Sequence, residues 1–416
     1  MLTIVVIAAI DIIYDMYRFR PPGRFLKKPR ICPPGRFFRF LVPLLGIACF
    51  VLGQSPGMAQ LPGSARVPAT DPFRVRAASI AAALDTDRLA AQLILSAVDG
   101  RETLPRKTRA LLAEIPPGGI MLFRYNVNAG SDAAAALAGN ISAAVQEASG
   151  IPPFIAADQE GGTVQRFGGA ASLPPPLSYW ERYGRGENRA GLLEEIAGAA
   201  ERAGRELRRL GINLNLAPVA EPLYGGNGAF LKNRSYGPDV FFTGEAAAAF
   251  VRGMKRAGVA ATLKHFPGNT ALDPHRARVT ITASGPELEN MIFPFRKAAE
   301  SGPAAVMLSH TAVIAWDGKP ASLSVRAVRY LREDLGFDGI IIADDFSMAA
   351  IAGPPEQRSL EAVRAGVDMV MAWPGNVRAI HGALVSALEA GTLDRRRLEE
   401  AASRIIAEKF RYGLMP

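Results

Sequence analysis

The chain has 416 residues, of which 49% are hydrophobic and 21% charged, a balance typical of a globular protein with a sizeable core. Its net charge is +9, but residues 1–60 hold eight basic and two acidic residues and so carry six of those charges. The remaining +3 does not indicate a nucleic-acid-binding surface. Both cysteines, Cys32 and Cys49, lie in the same segment, which excludes disulfides, thiol chemistry and Cys-based metal sites elsewhere.

Residues 1–60 have the features of an export signal. An apolar run from Phe40 to Leu52 follows a basic stretch and leads to Gly57-Met58-Ala59-Gln60, where small residues suit cleavage by signal peptidase. The run is short and contains Pro43, which disfavours a transmembrane helix. We therefore expect an exported protein, periplasmic or membrane-associated, with transient membrane contact through this segment only. A true start codon downstream of Met1 would instead predict a cytoplasmic protein.

Residues 61–85 are rich in Pro, Ala and Arg and are predicted to be a linker. Helical and strand patterns then alternate over residues 86–416, which predicts a parallel sheet with right-handed crossovers. The predicted helices are Asp87–Val98, Ala134–Ser149, Leu192–Leu210, Pro286–Glu300, Val325–Asp334, Leu360–Ala365, Val377–Glu389 and Asp394–Arg411. Seven strands are predicted directly, namely Gly119–Phe123, Pro153–Ala157, Ile212–Leu216, Val259–Lys264, Ala304–Ser309, Ile340–Ala343 and Met369–Ala372.

The strand Val259–Lys264 leads into His265-Phe266-Pro267-Gly268, and an Asp and a His follow two positions apart, Asp273 and His275. A carboxylate beside an imidazole can orient the ring, fix its tautomer and raise its basicity. The pair is therefore a candidate acid/base device. The alternative is a loop histidine that is bonded to a nearby Asp and has no catalytic role.

The strand Ile340–Ala343 ends in two carboxylates, Asp344 and Asp345. Its continuous apolar, β-branched run is typical of a strand that is covered on both faces. The C-terminal ends of such strands hold the active sites of parallel α/β folds. An Asp at this position can also cap the following helix, and two adjacent residues allow both roles.

These two stretches resemble the bacterial β-N-acetylhexosaminidases of glycoside hydrolase family three. The resemblance extends, in the family's order, to residues 158–167, 215–219, 233–237, 320–324 and 365–369. It covers residues 85 to 412 and implies a single catalytic domain over residues 86–416, folded as a (β/α)₈ TIM-type barrel. We expect no second sheet domain of the kind that larger members carry.

The resemblance also implies roles for individual residues. Asp344 is expected to be the nucleophile, with Asp345 structural, and His275 with Asp273 is expected to be the acid/base. Five further residues are expected to bind sugar hydroxyls, because charged groups make strong hydrogen bonds to them: Asp158, Arg166, Arg234, Lys264 and His265. For the two arginines, the alternative is a salt bridge on the barrel rim. The sequence departs from the family between Gly268 and Asp273, where the loop is a couple of residues shorter.

The implied function is that of a retaining exo-β-N-acetylhexosaminidase. It would release terminal N-acetylglucosamine from peptidoglycan fragments or chitin-derived oligosaccharides, as a monomer without cofactor or metal. Within the family, the alternatives are a β-glucosidase or β-xylosidase, or a glycoside phosphorylase, since an imidazole would not repel phosphate as a carboxylate does. From a different class, the chain could be a non-catalytic saccharide-binding protein in which the shortened loop has disabled chemistry.

Overall fold

The protein is represented by a computed structural model that describes residues 71–416. The predicted export segment and the first part of the predicted linker lie outside the described residues. Within residues 71–416, no helix is both long enough and apolar enough to cross a bilayer.

Eight strands of the described chain close into a parallel barrel, which confirms the predicted (β/α)₈ architecture. The described residues contain ten strands in all, namely β1 (Ile94–Ala97), β2 (Gly119–Met121), β3 (Phe154–Ala157), β4 (Leu214–Asn215), β5 (Ala260–Phe266), β6 (Thr280–Ile281), β7 (Ala305–Leu308), β8 (Ala312–Val313), β9 (Ile340–Ala343) and β10 (Met369–Ala372). Around the barrel the order is β1, β10, β9, β7, β5, β4, β3, β2, and then β1 again. Strands β6 and β8 form a separate parallel pair.

The helices alternate with these strands along the chain. They are α1 (Pro72–Ala83), α2 (Thr86–Gln92), α3 (Arg106–Glu114), α4 (Arg124–Val127), α5 (Ser131–Ser149), α6 (Pro176–Gly184), α7 (Arg189–Arg209), α8 (Gly228–Leu231), α9 (Val240–Arg256), α10 (Pro286–Ala299), α11 (Val325–Arg329), α12 (Pro355–Ala365), α13 (Val377–Glu389) and α14 (Arg395–Arg411). Helix α11 continues into one wider turn over Tyr330–Asp334. The predicted helix Val325–Asp334 corresponds to these two segments together.

Strand β9 shows how the core is arranged. Ile340 and Ile342 belong to one buried apolar cluster, and Ile341 and Ala343 belong to another. Because successive side chains of a strand point to opposite faces, the first cluster fills the barrel and the second lies between the barrel and the helices. Both faces are dry, which explains the uninterrupted apolar sequence of the strand.

The predicted helix Asp87–Val98 is wrong in its second half. Helix α2 ends at Gln92, and the apolar residues that follow form β1, the strand that completes the barrel. All four residues of β1 are buried, so its sequence has no alternation of polar and apolar positions. Periodicity alone cannot distinguish such a short run from the end of a buried helix.

The prediction of a linker over residues 61–85 is also wrong in its second half, because Pro72–Ala83 forms helix α1. Asp71 caps the helix by accepting a hydrogen bond from the backbone N–H of Phe73 at 3.0 Å. Ala77 and Ala81 are completely buried, and α1 packs along α14. Proline at the first helical position and a run of alanines favour this helix over a flexible linker.

Candidate active site

The C-terminal ends of the barrel strands open into a cavity of about 310 Å³. Side chains from the ends of β2, β3, β5, β7, β9 and β10 line it, as expected for a barrel of parallel strands. Seven of the eight predicted site residues lie in this lining: Asp158, Arg166, Arg234, Lys264, His265, His275 and Asp344. The eighth, Asp273, lies outside the lining but contacts His275.

Asp344 directly follows β9 and is partly exposed to the cavity. One of its carboxylate oxygens accepts a hydrogen bond from the backbone N–H of Asp345 at 2.9 Å. Loss of hydration acts to raise the pKa of Asp344, but the neighbouring His265, His310 and Lys264 outweigh it, so the pKa lies below its usual value. The group is therefore an ionised carboxylate at neutral pH, the state in which it can attack carbon.

Asp345 has a different role from its neighbour. Its side chain accepts hydrogen bonds from the indole N–H of Trp373 at 2.6 Å and from the hydroxyl and backbone N–H of Ser347 at 2.6 and 2.9 Å. These bonds fix the turn that follows β9. The arrangement agrees with the structural role predicted for the second aspartate.

His275 and Asp273 form the expected pair on an exposed loop. The imidazole Nδ1 and the backbone N–H of His275 donate to one oxygen of Asp273 at 2.8 and 2.9 Å. Loss of hydration acts to raise the pKa of Asp273, but the two hydrogen bonds from His275 outweigh this effect. The pKa of Asp273 therefore lies below its usual value. An ionised carboxylate has no proton to give, so Nδ1 carries the proton and Nε2 is left for chemistry.

The loop that carries Asp273 and His275 is attached to the loop that follows Asp344. The backbone N–H of Ala350 donates to the carbonyl of Pro274 at 2.9 Å. Pro274 is buried and lies between Asp273 and His275 in the sequence, whereas the His275 side chain is 63% exposed. The contact therefore holds the base of an otherwise open loop at the cavity mouth.

Five charged residues on one side of the cavity form a continuous network. The ammonium of Lys264 lies between Asp158 and Glu160, at 2.8 and 2.7 Å from their nearest oxygens. Arg166 contacts Asp158 at 2.7 Å, and Arg234 binds both oxygens of Glu160 at 2.7 and 2.9 Å. The two arginines thus make salt bridges, as the structural alternative predicted, but they make them inside the cavity.

Within this network, the partners of Glu160 and Lys264 favour the charged form of both groups. Burial acts to raise the pKa of Glu160, but Lys264 and Arg234 overcome that effect and hold the pKa at about 2. Burial acts to lower the pKa of Lys264, but Asp158 and Glu160 raise it above its usual value. Paired charges of this kind are fixed hydrogen-bonding groups, suited to the many hydroxyls of a sugar.

His265 is oriented by a second buried carboxylate, Glu221. The Nδ1 of His265 lies 2.6 Å from one oxygen of Glu221, and the backbone N–H of Asn269 donates to the other oxygen at 2.6 Å. The amide of the Asn269 side chain donates to Glu221 as well, at 3.1 Å. Asn269, in the shortened loop, therefore binds the carboxylate that orients His265.

His310, which follows β7, lines the cavity, and both of its ring nitrogens have hydrogen-bond partners. Its Nε2 donates to the carbonyl of Asp345 at 2.8 Å, and its Nδ1 lies 2.8 Å from the hydroxyl of Ser322. Burial lowers the pKa of His310, although the nearby Asp344 acts to raise it. His381, in α13, is also buried, with Nε2 2.9 Å from the carbonyl of Asp87.

Glu160, Phe123 and Trp373 are among the cavity-lining residues that were not predicted. Each of the three follows a barrel strand within a few positions. Phe123 comes after β2, Glu160 after β3 and Trp373 directly after β10. The ends of these strands were recognisable in the sequence, so position alone could have indicated all three. Among residues 71–416, no three His, Cys, Asp or Glu side chains are grouped so as to hold a metal ion.

Comparisons with known proteins agree with this geometry. Residues 86–407 match the family model described as the glycosyl hydrolase family 3 N terminal domain. A beta-hexosaminidase of Vibrio cholerae is 35% identical over 279 residues, which are 64% of this chain and 78% of that protein. A beta-hexosaminidase of Stenotrophomonas maltophilia is 35% identical over 293 residues, which are 67% of this chain and 82% of that protein.

Two solved structures show the same fold. A family 3 β-N-acetylglucosaminidase from a Paenibacillus species has 32% sequence identity and a TM-score of 0.73, covering 80% of this chain and 63% of that one. A β-N-acetylhexosaminidase from Beutenbergia cavernae has 28% identity and a TM-score of 0.70, covering 79% of this chain and 99% of that one. With the match over residues 86–407, the chain belongs to glycosyl hydrolase family 3 and is a glycoside hydrolase.

Proposed function

We propose that the protein is a retaining exo-β-N-acetylhexosaminidase that releases terminal N-acetylglucosamine from peptidoglycan fragments or chitin-derived oligosaccharides. The observation that carries this proposal is one cavity lined by an ionised carboxylate, Asp344, and by His275, an imidazole oriented by Asp273. The names of the relatives, beta-hexosaminidase and β-N-acetylglucosaminidase, support the same substrate class.

In the first step, an oxygen of Asp344 attacks the anomeric carbon and the bond to the leaving oxygen breaks. Nε2 of protonated His275 gives its proton to that oxygen, so the aglycone departs as a neutral alcohol. Asp273 stabilises the imidazolium beforehand and keeps Nδ1 protonated afterwards. The products of this step are a glycosyl ester of Asp344 and a neutral imidazole.

In the second step, neutral His275 removes a proton from water as the water oxygen attacks the anomeric carbon. The ester bond breaks and returns the carboxylate of Asp344, and the imidazole is again protonated. Two displacements at the same carbon retain the β configuration. One residue therefore acts as the acid in one step and as the base in the other.

The network of Asp158, Glu160, Arg166, Arg234 and Lys264 is proposed to hold the hydroxyls of the terminal sugar. Its members already contact one another, so the hydrogen-bonding groups are in place before substrate arrives. Such preorganisation lowers the free-energy cost of orienting the sugar against Asp344. An exo-acting enzyme needs this arrangement, because one sugar residue must be bound completely at the closed end of the site.

Hydrolysis of chromogenic N-acetylglucosaminide, glucoside and xyloside tests the proposal, with and without inorganic phosphate. We expect turnover of the N-acetylglucosaminide, no stimulation by phosphate, and a first product of β configuration by NMR. A sugar 1-phosphate product would identify a phosphorylase, and preference for the glucoside or xyloside would identify another member of the family. Binding of N-acetylglucosamine without any turnover would identify a saccharide-binding protein.

A further inference from the structure

The lining of the cavity has a charged side and an apolar side. The charged network of Asp158, Glu160, Arg166, Arg234 and Lys264 follows β3 and β5 or lies in nearby loops. On the other side, β2 and β10 and the residues after them contribute Met121, Phe123, Met371 and Trp373. In the barrel order, β10 is the neighbour of β9, which ends in Asp344. The apolar side therefore adjoins the candidate nucleophile.

Trp373 is held firmly on this apolar side. Its indole N–H donates to Asp345 at 2.6 Å, and Asp345 is fixed in turn by two bonds from Ser347. The ring of Phe123 stacks on the indole with a centroid distance of 4.8 Å and an interplanar angle of 17°. The polar edge of the indole is thus satisfied, and the ring remains partly exposed as a rigid apolar surface in the cavity wall.

We propose that Trp373 is a specificity-determining residue that recognises the acetamido group at C2 of the sugar, and that Asp345 is its positioning residue. The inference rests on the proposed function, because it names the substituent that the same site selects. C2 is bonded directly to the anomeric carbon, so its substituent lies beside the atom that Asp344 attacks. A planar amide with a methyl group packs well on an indole, whereas the hydroxyl of a glucoside has no apolar surface to bury.

The link through Asp345 explains why the wall and the nucleophile keep their relative positions. Asp345 is the residue after Asp344, and its backbone N–H donates to Asp344 while its carboxylate accepts from Trp373. A change at Asp345 therefore has two routes of effect, one on the nucleophile and one on the indole. The selectivity between two sugars isolates the second route, since both sugars meet the same nucleophile.

Equilibrium binding of N-acetylglucosamine and of glucose, measured by calorimetry on the full-length protein, tests the proposal. Trp373→Ala should weaken N-acetylglucosamine binding at least about tenfold and glucose binding less than about threefold, since one lost apolar contact of this size costs one to two orders of magnitude at most. Trp373→Phe should retain most of the selectivity. Trp180→Phe is the control, because Trp180 packs on Tyr183 and Phe242 and is not part of the cavity lining.

The positioning role has its own test. Asp345→Ala should reproduce the selectivity loss of Trp373→Ala, while Asp345→Asn, which keeps an acceptor oxygen for the indole, should restore it. The double variant should lose no more selectivity than either single variant, as expected for residues that act through one contact. Asp345→Ala also keeps the proposal testable if Trp373→Ala does not fold.

Equal weakening of both sugars in Trp373→Ala, or no change in either, would overturn the inference. The proposed function fails by a different observation, the absence of turnover in the unmodified protein. The binding measurement needs no turnover. If the unmodified protein binds N-acetylglucosamine selectively, loses that selectivity in Trp373→Ala and has no hydrolase activity, the role of Trp373 is upheld and the hydrolase mechanism is rejected.

Discussion

Asp344 and Asp345 have the same chemistry and adjacent positions, yet their surroundings give them different roles. Asp344 is exposed to the cavity and is kept ionised by His265, His310 and Lys264, whereas the carboxylate of Asp345 is occupied by Trp373 and Ser347. No local pattern in the sequence distinguishes the two. The difference arises from groups that are distant in the chain and meet only in the folded barrel.

Replacing Asp344 by Asn should lower kcat at least about 1,000-fold, because an amide oxygen is a poor nucleophile and removal of such a group abolishes the covalent step. The melting temperature should change little, since the two side chains have nearly the same shape. Asp132→Asn, at the exposed start of α5, is the matched control and should be fully active. Near-normal activity of Asp344→Asn would rule out the nucleophile assignment.

His275→Ala should reduce kcat/KM far more for substrates with poor leaving groups than for activated aryl glycosides. An activated leaving group departs with little protonation, while a sugar leaving group needs the proton from Nε2. Azide should restore turnover of the activated substrates, because it attacks the glycosyl ester without a base. Asp273→Asn should show a milder form of the same pattern, since Asp273 only orients and polarises the ring.

Rates for aryl leaving groups of graded acidity, with and without azide, provide the measurement. Arg278→Ala serves as the control from the same exposed loop, and it should leave the dependence on leaving-group acidity unchanged. If His275→Ala lowers the rates of all substrates equally and azide has no effect, the acid/base role belongs to another residue.

At the scale of elements, helix α1 shows how packing and local propensity act together. Ala77 is completely buried against α14, whereas the next residue, Ala78, is exposed. Ala77→Asp should destabilise the protein by about 3 kcal/mol or more, because it places an unpaired charge in an apolar contact.

Ala78→Asp is the matched control, since it changes helix propensity by the same amount on the solvent side and should cost only about 0.7 kcal/mol. Urea unfolding followed by circular dichroism would measure both differences. Equal stabilities of the two variants would show that α1 contributes no packing energy to the barrel.

The strands with β-branched sequences were predictable because both of their faces are buried, so that their sequences are continuous apolar runs. Strand β9 is the clearest example, since four consecutive apolar residues precede Asp344. Strand β1 was not recognised, because its apolar residues directly follow the helical pattern of α2 and have no turn signal between them. Helix α9 was also missed, although eleven of its seventeen residues are buried.

The place of a residue in the cavity lining was predictable where a family motif contains it, as for Asp158, Lys264 and Asp344. What the sequence could not provide is the pairing of charges across the cavity. Glu160 balances Lys264 and Arg234, which lie 104 and 74 positions away, and only the closed barrel brings the three together. Pairing at such separations is a property of topology and not of local sequence.

At the scale of the whole molecule, Lys409 is an unusual buried cation. Its ammonium donates to Gln92 at 2.9 Å and lies 5.7 Å from the centre of the Phe154 ring, and burial lowers its pKa to about 7. Between pH 7 and about 10.4 the unfolded chain binds this proton more tightly than the folded chain. The contribution of Lys409 to the free energy of unfolding therefore rises with pH, by up to about 1.4 kcal/mol per pH unit.

Lys409→Met should remove this pH dependence and increase stability more at pH 7 than at pH 10. The free energy of unfolding from urea titrations at several pH values between 7 and 10 would measure it. Glu408, whose pKa burial raises to about 7, changes stability mainly at lower pH and so does not mask the effect. Lys255→Met, at an exposed position of α9, is the control, and curves that stay parallel for all three proteins would contradict the prediction.

The export signal predicted for residues 1–60 concerns the cellular form of the molecule. We expect a mature protein that begins near Gln60, because Gly57 and Ala59 provide the small residues that signal peptidase requires. N-terminal sequencing of the protein from its native host would test this expectation. An intact leader on a protein recovered from the cytosol would contradict it.

The contact between α1 and α14 brings the two ends of the described chain together. Arg76 donates to the carbonyl of Pro416 at 2.6 Å, Phe73 stacks on Phe410, and Asp71 pairs with Arg411. A short peptide could therefore join residue 416 to residue 71. With the two ends joined, the chain could begin at another exposed turn. A circular permutant of this kind should fold into the same barrel with the same cavity.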